Sequence, residues 1–83
     1  MSMTLKDTVE QMVSDDYKER FEAEVNQLEI RIKKLSTMIE KYRAGKLEFT
    51  PACPVELLDK QLKAMYEYMR WLRTRAEIEG IEV

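Results

Sequence analysis

The side chains best placed to do chemistry in this sequence are cations and aromatics. Residues 31–43 hold Arg31, Lys33, Lys34, Lys41 and Arg43 against Glu40 alone, a local charge of +4. Residues 60–75 hold Lys60, Lys63, Arg70, Arg73 and Arg75 against Glu67 alone, again +4. The second stretch, which includes the run QLKAMYEYMRWLRTR from Gln61 to Arg75, also carries Tyr66, Tyr68 and Trp71. Ammonium and guanidinium groups hold phosphate oxygens, and an aromatic face stacks on a base. That pairing points to recognition of a small phosphate-bearing ligand. The competing reading is a solvated surface of helix charges. Residues 15–24 hold five carboxylates and two cations, and the whole chain has a formal charge of −2. An extended DNA or RNA duplex is therefore a poor match, since the acidic end repels it.

Catalytic chemistry has little to work with. The chain lacks histidine, the commonest general base and metal ligand at neutral pH. One cysteine, Cys53, builds neither a thiolate zinc site nor an internal disulfide. The only glycines are Gly45 and Gly80, so a glycine-rich phosphate loop is missing. The carboxylates sit at helix-surface spacing beside Lys and Arg, as in the Glu29/Lys33 i,i+4 pair. The expectation is a protein that is not an enzyme and uses no cofactor or metal.

The elements that position these residues are helices. Leu5, Val9, Met12 and Val13 follow helical spacing after Thr4, and Thr4 with Asp7 resembles a capping box. A short helix is expected over 4–13. Ser14, Asp15 and Asp16 then offer acceptors for the next helix start. From Tyr17, the residues Phe21, Val25, Leu28, Ile32, Leu35, Ile39 and Tyr42 step by 4 and 3, a heptad seam. A long helix over 15–43 is expected, stopped at Gly45. Residues 44–53 read as a loop marked by Pro51. Pro54 suits the first turn of the next helix. Leu58, Leu62, Met65, Met69, Leu72 and Ala76 give that helix its own 4-3 seam over 54–79, with fraying near Gly80.

The fold class that follows is all-α: an antiparallel two-helix hairpin with a short N-terminal helix. Partners across the seam should sum to roughly 97, setting Lys34 level with Lys63, Arg31 with Tyr66 and Glu24 with Arg73. In that register Arg31, Lys34, Lys60 and Lys63 form one basic patch, with Tyr66 beside it.

The second long helix carries more than one stripe of apolar residues. Trp71, Tyr68, Leu72, Met65, Met69 and Tyr66 spread over roughly 220° at about 100° per residue. One partner helix cannot cover that arc. The short N-terminal helix and a second subunit are expected to cover the rest, with Met65, Tyr68, Met69 and Trp71 at a homo-oligomer interface. Some of these aromatics could instead stack on a ligand.

At 83 residues the chain is one small domain, and such a domain buries only about 60% of its unfolded surface. Hydrophobic content is 45% and charged content 36%, with two Gly and two Pro, a long-helix composition. The N-terminus MSMTLKDTVEQMV lacks a signal-peptide pattern, and no apolar run approaches the length of a membrane span. A cytoplasmic protein without a membrane partner is expected.

The stretch Asp16, Tyr17 and Arg20, followed by a Glu24-to-Leu35 pattern of the form E...L..RI.KL, resembles the crAss-like-phage-related family of small phage and prophage proteins. So does the run Leu57, Leu58, Gln61, Met65, Tyr68, Leu72 and Arg75. The likeness spans about residues 15–76. The sequence departs from that pattern at Met38, where an aromatic is expected, and in its N-terminal extension. In fold and context the chain is also similar to phage anti-CBASS sponges, small helical-hairpin oligomers that sequester cyclic oligonucleotides. Related sponges bind the ADP-ribose-derived signals of Thoeris defence. That resemblance implies a tyrosine near the start of the first long helix and a lysine further along it. Tyr17 and either Lys33 or Lys34 take those parts here, with Arg70 or Arg73 of the second helix reaching a phosphate.

The function expected is a non-catalytic sponge that binds and sequesters a nucleotide immune messenger in the host cytoplasm. The alternative is an interaction module whose spare apolar face docks a host or phage protein. For Tyr17, at the head of the seam, a core cap competes with the ligand contact, and for Trp71 an interface anchor competes with a stacking platform.

Overall fold

A computed structural model describes residues 3–83, all of whose regular structure is helical. Residues 1 and 2, where the stretch read for a signal peptide begins, lie outside the described residues.

The N-terminal segment is less regular than its spacing suggests. Instead of one helix over 4–13, a 3-10 turn spans Leu5–Thr8 and a single α-turn, α1, spans Val9–Met12. The cause is local. The Thr8 hydroxyl donates to the Leu5 carbonyl at 2.7 Å, which favours the tighter turn. So short a run gains little from helix propagation. The start is nonetheless tied as expected: the Thr4 N–H donates to the Asp7 carboxylate at 2.8 Å. Thr4 thereby holds the Asp7 carboxyl below its ordinary range.

Helix α2 runs Tyr17–Arg43. Asp16 caps it by accepting from the Lys18 N–H at 3.0 Å. Its last turn carries Lys41 and Arg43, which complement the helix dipole. Beyond Ala44, Gly45 takes φ +69° and the Lys46 N–H donates to the Lys41 carbonyl at 2.8 Å, a Schellman closure.

Helix α3 runs Val55–Glu79. Pro54 stands at the cap, one place before the expected first-turn position, and its carbonyl accepts from the N–H groups of Leu57 and Leu58. The C-terminus does not fray at Gly80. Gly80 adopts φ +70°, and the Ile81 N–H donates to the Ala76 carbonyl at 2.8 Å. This second Schellman turn folds Ile81 back into the core.

The first residue of α2 meets the last of α3: the Tyr17 hydroxyl donates to Glu79 at 2.8 Å. At the other end Arg43 pairs with Asp59. The two helices therefore run side by side in opposite directions, in a body 43 Å long. Phe21, Val25, Leu28 and Ile32 of α2 pack with Met69, Leu72 and Ala76 of α3 and with Ile81, while Leu62 and Met65 flank them. Ile39 and Leu58 are buried nearer the loop. Leu35 is only half-buried, and Tyr42, the last step of the α2 spacing, is exposed.

The N-terminal elements pack on α2 and not on α3. Gln27 donates to the Thr8 hydroxyl at 3.0 Å, Gln11 to Glu22 at 3.2 Å and Asn26 to Gln11 at 3.3 Å. The expectation that this segment covers the spare face of the second long helix is thus overturned. Its polar side chains match α2, and α3 keeps its outer face bare.

Candidate functional site

Once the 4-3 seam fixes which stripe of each helix faces inward, every other residue falls on one flank or the other. On one flank a cleft of about 460 Å³ opens between α2 and α3. From α2 it takes Glu29, Lys33, Ser36 and Glu40, whose spacing of 4, 3 and 4 puts them on one face. From α3 it takes Tyr66, Met69 and Arg73. The volume lies within the range of small-molecule sites. A wider groove of about 710 Å³ lies next to it on the back of α2, bounded by Met3 and Thr4 and lined by Asn26, Ile30, Lys33 and Lys34. Glu29, Lys33 and Thr37 border both, so Lys33 stands on the ridge between them.

The cleft combines two cations, two carboxylates, the hydroxyls of Ser36 and Thr37, and an aromatic ring. Among the described residues neither Lys33 nor Arg73 is engaged in an ion pair, and both are exposed. Tyr66 is 53% exposed and offers its ring to solvent. Cations of this kind hold phosphate oxygens, and carboxylates accept from ribose hydroxyls or exocyclic amines. A set mixing both suits a molecule with phosphates and sugar hydroxyls better than it suits bare polyphosphate.

Lys33, Tyr66 and Arg73 are thus brought together, and Lys34 lies in the adjoining groove. Lys63 and Arg70 share a face of α3 with Tyr66 and Arg73 through the 3-4-3 spacing but do not line the cleft. The Arg70 guanidinium instead lies 4.8 Å from the centre of the Trp71 ring.

Two placements differ from the expected register. Tyr66 shares its cleft with Lys33 and not with Arg31, because 31 and 33 are two residues apart and lie on opposite flanks of α2. Glu24 accepts a hydrogen bond from the Tyr68 hydroxyl and does not meet Arg73, which is on the cleft flank. The patch of Arg31, Lys34, Lys60 and Lys63 around Tyr66 is accordingly divided.

The chain belongs to the Sequestin family. The family model matches residues 15–78, from the cap of α2 almost to the end of α3. The Sequestin match includes every residue of the cleft and leaves the N-terminal segment outside it. Among curated proteins and among solved structures nothing matches.

Tyr17 does not line the cleft of this Sequestin chain. It lies sixteen residues before Lys33, about 24 Å along the helix. Its hydroxyl is already occupied, donating to Glu79 and accepting from Arg75 at 2.9 Å. Of the four residues expected at a subunit interface, Met69 is buried in the chain's own core and Met65 is half-buried beside it, because both belong to the inward stripe. Tyr68 and Trp71 remain exposed, at 45% and 54%. Glu29, Ser36 and Glu40 are cleft residues that sequence reasoning passed over. Their signal was the i, i+4, i+7, i+11 spacing around Lys33. As for membranes, no described helix is long and apolar enough to cross one.

Proposed function

We propose that this protein is a phage-type sponge: it binds a nucleotide immune messenger and holds it without turning it over. The observation carrying this reading is the cleft that pairs Lys33 and Arg73 with the open ring of Tyr66. The base of a cyclic oligonucleotide or ADP-ribose-derived signal stacks on Tyr66. Lys33 and Arg73 hold its phosphates, and Glu29 and Glu40 accept from its ribose hydroxyls. Lys34, in the adjoining groove, takes a second phosphate of a larger ligand. Lys63 and Arg70 add positive potential along the same side of α3. The name Sequestin speaks of sequestering, which supports the same role. The cleft holds the Ser36 and Thr37 hydroxyls, but the chain has no histidine to activate them, and the messenger is expected to be released intact. The hairpin unit works in the cytoplasm as a homo-oligomer, supported by the bare apolar face of α3.

The test is calorimetry against a panel of cyclic di- and trinucleotides and cyclic ADP-ribose isomers. A bound ligand should be recovered unchanged after heat denaturation. Absence of heat with every member of the panel, or recovery of a cleaved product, ends this reading.

A further inference from the structure

The cleft between α2 and α3 is charged but balanced. Lys33 and Arg73 bring two positive charges to it, and Glu29 and Glu40 bring two negative ones. All four side chains are exposed, and none pairs with another: the ion pairs among the described residues are Arg43 with Asp59 and Arg75 with Glu79. Glu29 is the first and Glu40 the last residue that α2 gives to the cleft, about 16 Å apart along the helix. A carboxylate thus stands at each end of the α2 wall, with Lys33 and the hydroxyls of Ser36 and Thr37 between them.

We infer that Glu29 and Glu40 are the specificity-determining residues of this cleft: they admit nucleotides whose phosphates are all internal and reject nucleotides that end in a free phosphate. The inference rests on the sponge reading above and narrows its ligand class. An internal phosphate, esterified or bridged on both sides, carries about one negative charge. A terminal phosphate carries about −1.5 to −2 at neutral pH, and in a triphosphate that adds to the charges of its neighbours. Lys33 and Arg73 balance two internal phosphates. A triphosphate exceeds them and sets its surplus beside a carboxylate, whichever way it lies along α2. Glu29 is about 6 Å along the helix from Lys33 and Glu40 about 10 Å, near the distance at which salt begins to screen.

A sponge needs such a filter. ATP and GTP outnumber any signalling nucleotide in a cell, and they offer Tyr66, Lys33 and Arg73 the same bases and phosphates. Cations and a ring alone would fill with ATP. Discrimination between two ligands that share every attractive contact requires a repulsive one. Toward a cyclic or bridged nucleotide the same carboxylates are acceptors for ribose hydroxyls, so they weaken one class without weakening the other.

Calorimetry with ATP on the full chain and on the double variant Glu29→Gln, Glu40→Gln decides this. Glutamine keeps the shape and an acceptor oxygen and removes only the charge. The unaltered protein should bind ATP more weakly than about 1 mM, and the double variant at least roughly tenfold more tightly than the unaltered protein. The control pair Glu10→Gln, Glu48→Gln makes the same change in net charge at exposed positions outside the cleft, and should leave ATP binding where it was. All four positions are exposed, so helical circular dichroism should be the same in every protein. ATP bound by the unaltered protein more tightly than about 1 mM, a gain short of tenfold in the double variant, or an equal gain in the control pair overturns the filter. The cyclic nucleotide panel is read beside it. If a panel member binds and the double variant gains no ATP, the filter falls and the sponge reading stands. If no panel member binds and the double variant does gain ATP, rejection of terminal phosphates by Glu29 and Glu40 is upheld and the sponge reading falls.

Discussion

The Tyr68 hydroxyl donates a hydrogen bond to the Glu24 carboxylate, joining α3 to α2 on the flank opposite the cleft. The two residues are 44 positions apart, so the bond forms only when the helices are in register. It also shapes how Tyr68 titrates. The bond to Glu24, some burial and the carboxylate's charge all favour the neutral phenol and push its pKa above the usual 10.

From this follows a pH dependence in the alkaline range. A phenol whose folded pKa is raised stabilises the fold fully below its unfolded pKa. That contribution disappears as pH rises through the folded value, above about 10. Tyr68→Phe should cost about 0.5 kcal/mol at pH 7, the low end for a hydrogen bond because the pair is exposed. The variant should also lose less stability than the parent between pH 9 and 11, roughly spanning the phenol titration. Urea unfolding at a series of pH values checks both. Parallel losses in the two proteins would detach Tyr68 from the alkaline transition.

Asp7 gives the opposite sign. Its carboxyl is held low by the Thr4 backbone N–H, so its contribution is present above its ordinary value of 3.8 and is lost as pH falls through the lower folded value. Acid should therefore release the start of the Leu5–Thr8 turn while α2 and α3 persist. The Thr4 amide resonance, followed by NMR, should move with Asp7 titration in the parent and stay still in Asp7→Asn.

The helix ends were legible in the sequence because their causes are local. Asp16 has the side chain for a cap, and Gly45 takes the left-handed backbone that ends a helix, whereas at Gly80 fraying was expected and the same left-handed turn forms. The inward stripes were legible too, since Phe21, Val25, Leu28 and Ile32 repeat on the period of a helix. What spacing does not fix is the flank each outward residue takes once two helices cross. Arg31 and Lys33 look interchangeable along the chain, yet only Lys33 shares a cleft with Tyr66 and Arg73. The N-terminal segment was harder still. It is attached through Gln11, Asn26 and Gln27, whose amides give no periodic signal. Tyr17 falls outside the cleft for a related reason: its partners Glu79 and Arg75 arrive only when the far end of α3 returns to it.

Gly80 is the position at which backbone geometry should show most plainly in stability. An added Cβ meets no atom within 4 Å, so Gly80→Ala suffers only the penalty of φ +70°. That is about 1–2 kcal/mol for an L-residue. In a domain of this size it lowers the melting temperature by roughly 4–15 °C. Gly45→Ala has the same φ and the same open space, but no buried residue follows it. Gly80 precedes Ile81, which is 8% exposed, so Gly80→Ala should cost more than Gly45→Ala by loosening that side chain. Equal melting shifts would mean that Ile81 contributes nothing to the core.

Tyr17 and Lys33 should separate stability from binding. Tyr17→Phe removes a hydroxyl that links Glu79 and Arg75 at the solvent-exposed end of the helix pair. Its cost should be about 0.5–1 kcal/mol of stability, with nucleotide binding unchanged. Lys33→Ala and Arg73→Ala remove exposed cations that have no ion-pair partner among the described residues, so stability should hardly move. Each should weaken binding of a phosphate-bearing messenger by roughly ten- to a hundredfold, the loss of a charge-assisted hydrogen bond. Calorimetry on the three variants with the same nucleotide panel, beside their melting curves, tests the division. If Tyr17→Phe abolishes binding while Lys33→Ala and Arg73→Ala bind normally, the ligand belongs at the Tyr17–Glu79 end, about 24 Å along α2 from Lys33.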